Sequence, residues 1–361
     1  MEALILAGGY GTRLLPITVN KPKHMIKLLG KPILQHIISS LAEQGIKDII
    51  ISTNRRFQSI SHYFDDGSDF GCEIRYIIEN ERLGGVKAIK NAAIYSDMKD
   101  DFIVVLGDNI ISVDYKRLIE FHYKKGSDVT LVLSKVKDCS EYGAVKISSS
   151  GRVLDFREKS SNYAGASYAS AGIYVFKNSV MESISNEFYD STGSIFPDLL
   201  NKGLKIFGYV NPNKFTDIGK VSSYLEAQTD MLNGKQFLSE KAIFKGELKD
   251  GFWIDDNVVV EEGAIVRNSA LYGDTVVEKG AVVDGSVVFE SRVKSDSTLK
   301  SSFLDFGCEI GKGSFVENSV LGENVKLGDY STLRLAKIYP NLKIIHKSSI
   351  QHIEIKTQLQ S

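Results

Sequence analysis

The chain has little cysteine, tryptophan or proline: its 361 residues hold three, one and six of them. Cys72, Cys139 and Cys308 are far apart, odd in number and form no C-x-x-C pair. That pattern excludes a disulfide framework and a cysteine metal knuckle, and it suits a reducing, cytoplasmic compartment. No apolar run reaches the ~18 residues that span a bilayer. No basic stretch followed by a long apolar one marks a secretion signal. An excess of either charge is missing too: 44 Lys and Arg against 45 Asp and Glu leave −1. A general binder of nucleic acid or anionic membrane carries a basic excess, so neither partner is expected. What remains, 43% hydrophobic and 25% charged residues, is ordinary for a globular protein, and the length suits two domains.

The most informative stretch lies near the start. Ala3-Leu4-Ile5-Leu6-Ala7 is a short apolar run that reads as a buried strand, and it ends in Gly8-Gly9-Tyr10-Gly11-Thr12-Arg13-Leu14. Glycines let the backbone turn with positive φ and approach a ligand closely. Their successive N–H groups make an anion nest. Arg13 adds a planar charge suited to phosphate oxygens, and Lys23 reaches the same place if the loop folds back. The stretch reads as a triphosphate-binding loop. It is neither a Rossmann fingerprint, because Leu14 stands where the third glycine belongs, nor a Walker A loop, because no Lys-Ser/Thr pair follows its last glycine.

Strand and helix signals alternate over 1–235. Ile33, Leu34, Ile37, Ile38 and Leu41 form one helical face, with Gly45 as its C-cap. The apolar-rich runs at 49–51, 102–106 and 129–133 read as strands covered on both faces. The expected fold is α/β: a Rossmann-like mixed, mainly parallel sheet flanked by helices. Ligands of such sheets sit beyond the carboxyl ends of the strands. From Trp253 helical spacing disappears and units such as Ile310-Gly311-Lys312-Gly313-Ser314 and Leu327-Gly328-Asp329-Tyr330-Ser331 recur, mostly six residues apart. That period is the signature of a β-helix, here of the left-handed hexapeptide-repeat type. The expected division is 1–235 catalytic, 236–252 linker and 253–361 β-helix with a C-terminal cap. The β-helix residues 253–340 contain no histidine, so an acetyl-transferring site there is unexpected unless His346 or His352 folds back onto it.

Two aspartates follow apolar segments: Asp108 in Gly107-Asp108-Asn109 and Asp217 in Phe215-Thr216-Asp217-Ile218-Gly219. Each reads either as a local cap or as half of a Mg²⁺ site, since Mg²⁺ binds through one or two carboxylates plus substrate phosphates. Lys159, in Phe156-Arg157-Glu158-Lys159-Ser160, reads by itself as a solvated strand edge.

Taken together, GGxGTRL followed by Lys-Pro-Lys, the two aspartates in that order, Tyr142-Gly143-Ala144-Val145, Phe-x-Glu-Lys and Ala171-Gly172-Ile173-Tyr174-Val175-Phe176 resemble the signature of the sugar-1-phosphate nucleotidyltransferases. The resemblance covers nearly the whole chain. It implies an enzyme that joins an NTP and a sugar 1-phosphate into an NDP-sugar, releasing pyrophosphate with Mg²⁺. It places Arg13, Lys23, Asp108 and Lys159 in catalysis and the metal on Asp108 and Asp217. Leu6, Ala7, Gly8, Gly9, Gly11, Thr12, Arg13, Lys23, Glu79, Gly84, Gly85 and Asp108 would hold the nucleotide. Tyr142, Gly143, Glu158, Lys159, Ser170 and Gly172 would hold the sugar phosphate. Three positions depart from the family pattern: Ser160 replaces a proline, Ser170 an asparagine and Gly85 a threonine.

Uracil- and thymine-using members tend to carry Gln at the place of Glu79. A carboxylate only accepts hydrogen bonds, which fits the N1–H and N2–H₂ donors of guanine. The expectation is GTP with mannose 1-phosphate. The alternatives are a glucose-1-phosphate thymidylyl- or uridylyltransferase, and a catalytically silent nucleotide-sugar-binding regulator. A homo-oligomer assembled through the β-helix is expected.

Overall fold

The computed structural model describes residues 1–80, 84–96, 98, 100–159, 168–185 and 191–356. They group into two compact units, Met1–Gly9 with Ile33–Asp217, and Tyr10–Pro32 with Ile218–Ser361.

The first unit contains β1 (Ala3–Ala7), β2 (Asp48–Asn54), β3 (Glu73–Glu79), β4 (Phe102–Leu106), β5 (Asn109–Ile111), β6 (Val129–Lys135), β7 (Gly143–Ile147), β8 (Val153–Glu158), β9 (Tyr168–Phe176), β10 (Ile206–Asn211) and β11 (Phe215–Asp217). The main sheet runs β8-β7-β9-β4-β1-β2-β3, with β6 paired to β9 and β10 to β6. Its β3-β2-β1-β4 portion is parallel. Strand β9 is antiparallel to β4, β6 and β7, so the sheet is mixed. Ala3, Leu4 and Ile5 and their partners Ile49, Ile50 and Ile51 are fully buried. That follows from cover on both faces and explains why these strands read as unbroken apolar runs.

Helix α1 (Ile33–Glu43) buries the expected face, and Gly45 (φ 87) terminates it, with the Ile46 N–H bonding back to the Leu41 carbonyl. Helices α2 (Gln58–Phe64) and α3 (Gly85–Tyr95) follow β2 and β3. Helix α4 (Tyr115–Lys125) starts on Asp114, whose carboxylate accepts from the Arg117 N–H at 2.9 Å, and stops at left-handed Gly126.

His122 on α4 is 1% exposed. Its Nδ1 is 2.8 Å from Thr130 Oγ1 and its Nε2 3.5 Å from Asp101. Burial lowers its pKa, against the opposing pull of Asp101. A histidine depressed in the native state is stabilising while neutral. Below about pH 6.5 the unfolded chain takes up a proton that the native ring refuses. Stability is therefore expected to fall as pH drops from about 6.5 towards the native pKa, with a slope contribution of up to about one proton. Denaturant unfolding of the wild type and His122→Gln across pH 5–7 checks this: the variant should lose that part of the slope.

In the second unit, three parallel stacks of short strands climb from Gln236 to Ile355, consistent with a left-handed β-helix. Residues 236–252 carry strands Gln236–Leu238 and Ile243–Phe244 and the start of Glu247–Ile254, already paired with the coils above. Lys343–Ile344, Ser349–Gln351 and Glu354–Ile355 continue the stacks in register. Each coil turns corners on left-handed residues, as at Asn268, Gly285, Ser301, Asn318 and Leu335. The residue after each corner is small and buried, and four of these are serines. Ser269, Ser286, Ser302 and Ser319 each accept, on Oγ, the backbone N–H one coil up, ending on Ala336. The offset is 16 or 17 residues, which is less than three full hexapeptides and accounts for the mixed five- and six-residue spacing. Outside, Arg267, Asp284, Lys300, Glu317 and Arg334 alternate in charge up one column. The His346 Nδ1 accepts from the Asp329 N–H at 2.9 Å, a coil-stacking role for that ring.

Candidate active site

Within the first unit, β1, β2 and β3 end together, with Ala7 opposite Thr53 and Asn54 opposite Glu79. Gly8 leaves β1 directly beside the Glu79 side chain. A Cβ added to Gly8 would lie 3.1 Å from both carboxylate oxygens. Glu79 is 8% exposed and accepts from Ser52 Oγ at 2.6 Å, so its carboxylate is fixed at the base of the glycine loop. Residues 81–83 of the expected base-reading segment lie outside the described residues. Gly84 then adopts φ 76 and Gly85 opens α3. A Cβ on Gly85 would fall 2.1 Å from Thr192 Oγ1. A side chain at 85 would have to displace the Thr192 hydroxyl, so glycine suits this position where the family pattern has threonine.

The expected sugar-phosphate residues gather around Glu158 and Asp108. Gly143 opens β7, where a Cβ would meet Phe156 at 2.4 Å and Glu158 Oε2 at 3.3 Å. Gly193 comes closer still: its Cβ would be 2.2 Å from the same oxygen. Burial raises the Glu158 pKa, while Lys159 and a hydrogen bond from Ser191 pull it down. Lys159 itself sits at φ 38 with its N–H on the Tyr142 carbonyl at 3.1 Å. A left-handed non-glycine residue is strained by about 1–2 kcal/mol. Ser160 lies outside the described residues.

Strand β9 is bulged between Ser170 and Tyr174, with Gly172 at φ 72. There Asn109 Nδ2 donates to the Ala171 carbonyl at 2.8 Å, and a Cβ on Gly172 would strike that amide at 2.3 Å. Asn109 also stands opposite Asp217 in the β5–β11 ladder. Asn109 thus follows Asp108 in sequence, faces Asp217 through the backbone ladder and reaches the Gly172 bulge through its buried amide. Sequence reading assigned no role to Asn109 or Gly193, because both act through tertiary contacts that no local spacing encodes. Ser170 Oγ donates to Tyr174 Oη at 3.2 Å. Burial raises the Tyr174 hydroxyl pKa, and the charges of Glu158 and Asp108 add to it, which puts all three groups within electrostatic reach. Among the described residues no group of three or more His, Cys, Asp or Glu stands together so as to hold a metal ion.

The second unit holds the other half of the signature. Gly11 is left-handed (φ 66), and its carbonyl accepts from Thr18 Oγ1 at 2.8 Å. Residues Thr12–Leu14 and Lys23–Met25 form single 3₁₀ turns. A Cβ on Gly11 would meet Lys23 Cβ at 3.2 Å, so the loop folds back and sets Lys23 beside the glycine. Arg13 is exposed on its turn and Lys23 is half-buried.

A nucleotidyl transferase family model matches residues 2–234, and the chain belongs to that family: it is a nucleotidyltransferase. A model described as the GMPPB C-terminal domain matches 248–355. The mannose-1-phosphate guanylyltransferase of Mycobacterium tuberculosis is 31% identical over 276 residues, which is 76% of this chain and 75% of that one. The UTP–glucose-1-phosphate uridylyltransferase of Synechocystis is 33% identical over 247 residues, 64% of either chain. Among solved structures, HddC from Yersinia pseudotuberculosis complexed with GMP-PN has a TM-score of 0.54 at 31% identity, over 64% of this chain and 99% of that one. Nucleotidyltransferases of this family generally need a divalent metal. No described helix is long and apolar enough to cross a membrane.

Proposed function

We propose that the chain transfers a guanylyl group from GTP to mannose 1-phosphate, giving GDP-mannose and pyrophosphate in the cytoplasm. The observation that carries this reading is Glu79: a buried carboxylate fixed against the first glycine of the nucleotide loop, where only a base offering donors is welcome. Relatives named as mannose-1-phosphate guanylyltransferases and a GMP-PN-bound neighbour support it. Catalysis is assigned to 1–235, with the coils of 253–361 serving assembly into a homo-oligomer.

An oxygen of the sugar phosphate attacks the α-phosphorus, and the bond to the leaving pyrophosphate breaks in line with it. Phosphate oxygens already attack well, so the protein's task is positioning and charge neutralisation. Arg13 and the N–H groups of 8–12 receive the β- and γ-phosphates. Lys23 neutralises the α-phosphate, and Lys159 brings in the sugar phosphate while Glu158 binds sugar hydroxyls. Asp108 and Asp217, hard oxygen donors set on one small ladder through Asn109, fit a Mg²⁺ ion. When bound, that ion supplies positive charge to the phosphate oxygens.

A panel of GTP, UTP, dTTP and ATP against mannose and glucose 1-phosphates, read as pyrophosphate release, tests this reading. GTP with mannose 1-phosphate is expected to lead by at least about tenfold. A lead for UTP or dTTP with glucose 1-phosphate would instead favour the uridylyl- or thymidylyltransferase reading.

A further inference from the structure

The phosphate-loop segment 10–32 groups with the β-helix coils, and its contacts with them are specific. Lys21 Nζ lies 2.5 Å from Asp305 Oδ1, with side-chain exposures of 20% and 1%. The same ammonium stands 4.5 Å from the centroid of Phe306. Asp305 Oδ1 also accepts from the Phe306 N–H at 3.0 Å. A carboxylate this deep is costly to keep unless it is paired and hydrogen-bonded, and here the pairing cation comes from 284 residues away. Three more contacts follow along the segment, the first from Tyr224 on the helix Val221–Leu232 that precedes the coils and the other two from the coils. Tyr224 Oη donates to the Lys27 carbonyl at 2.5 Å, the Gly30 N–H donates to Tyr272 Oη at 3.3 Å, and a Cβ on Gly30 would strike Trp253 at 2.5 Å.

Lys21 is joined through Pro22, whose ring fixes φ at −68, to Lys23, the residue set against Gly11. An anchor on Lys21 is therefore an anchor on Lys23, two residues along a stiff link. We propose that Asp305 is a positioning residue of nucleotidyl transfer: through Lys21 it holds the Lys23 turn against the glycine loop, so that the β-helix forms a built-in support of the phosphate site. The proposal rests on the reading of 8–23 as that site. Asp305 touches no reacting atom, and Lys21, occupied by Asp305, is a tether.

The test is a double-mutant cycle on the full chain with Asp305→Asn, Lys21→Met and the pair Lys21→Met/Asp305→Leu. The last replaces both charges by apolar groups, a change that buried pairs often tolerate without loss of fold. Each single variant is expected to raise the KM for the NTP about tenfold, to leave the KM for sugar 1-phosphate within about twofold, and to be no better than the double. A merely destabilised protein would lose active fraction, hence kcat, with both KM values unmoved. Trp253 is the sole tryptophan and lies on Gly30. Its fluorescence is expected to change on titration with inorganic pyrophosphate, with a Kd about tenfold weaker in Asp305→Asn. If Lys21→Met impairs the NTP KM while Asp305→Asn does not, Lys21 is a substrate ligand and the anchor is overturned. If both singles stay within twofold of wild type, it is overturned as well. Should the wild type release no pyrophosphate with any nucleotide, the reading of the site fails. The pyrophosphate titration still decides the anchor: equal affinity in wild type and Asp305→Asn sinks it.

Discussion

Asp108→Asn is expected to lower kcat by about 10³-fold, or about 4 kcal/mol of transition-state stabilisation, while the protein stays folded. The change is isosteric and removes one negative charge at a half-buried position. The backbone beside it has ties of its own: Asn109 donates to the Ala171 carbonyl and stands opposite Asp217 across the ladder. What is lost is the ability to hold a hard divalent cation against the phosphates. An amide oxygen binds such an ion through one neutral donor, and with two carboxylates in the site, replacing one halves its formal charge. The metal concentration for half-maximal activity should therefore rise together with the fall in kcat. Thermal unfolding within a few degrees of wild type would separate this from misfolding. If kcat stays within about threefold of wild type, Asp108 is only the cap of its turn. Arg13→Ala, on an exposed turn, provides the companion measurement: loss of kcat with little change in stability.

The parts of the molecule that sequence reading reached are those encoded at short range. The α1 face is legible because its five apolar residues repeat at helical spacing and all end up buried. Strands β1 and β4 are legible because cover on both faces leaves them apolar throughout. The coil is legible as a period, but its true step is not. The serine ladder joins residues 16 or 17 apart by hydrogen bonds, and a serine in a loose repeat looks like any other small residue. At the candidate site, Asp108 and Asp217 stand out by following apolar segments, and Glu158 by its Phe-x-Glu-Lys context. Gly193, Asn109 and Asp305 do not. Each matters through one close approach, to Glu158, to the Gly172 bulge and to Lys21, across a separation in sequence that only the folded chain closes. Gly85 shows the converse. Read locally it is a departure from the family pattern, whereas in the fold it is the residue that lets Thr192 approach.

Glu79→Gln is expected to shift base preference more than any other single change considered. Its carboxylate has two oxygens and about four lone-pair sites. Ser52 donates to one of its oxygens, and a guanine would present its N1–H and N2–H₂ to the carboxylate as further donors. The amide keeps one acceptor, enough for Ser52, and turns the other position into a donor. Facing guanine, that donor meets donors, and at least one buried group goes unpaired at a cost of about 1–3 kcal/mol. Facing uracil or thymine, it meets O4. The two effects act in opposite directions on the two substrates, so the GTP/UTP ratio of kcat/KM should fall by about 10²-fold, the product of two roughly tenfold changes. The side-chain volume is nearly unchanged, so the packing of this side chain beside Gly8 is kept. The ratio is the decisive quantity, because general damage to the loop would lower both values together and leave it alone. A ratio that stays within threefold of wild type would make Glu79 a structural brace between the ends of β2 and β3, and base selection would then have to be sought elsewhere around the nucleotide loop.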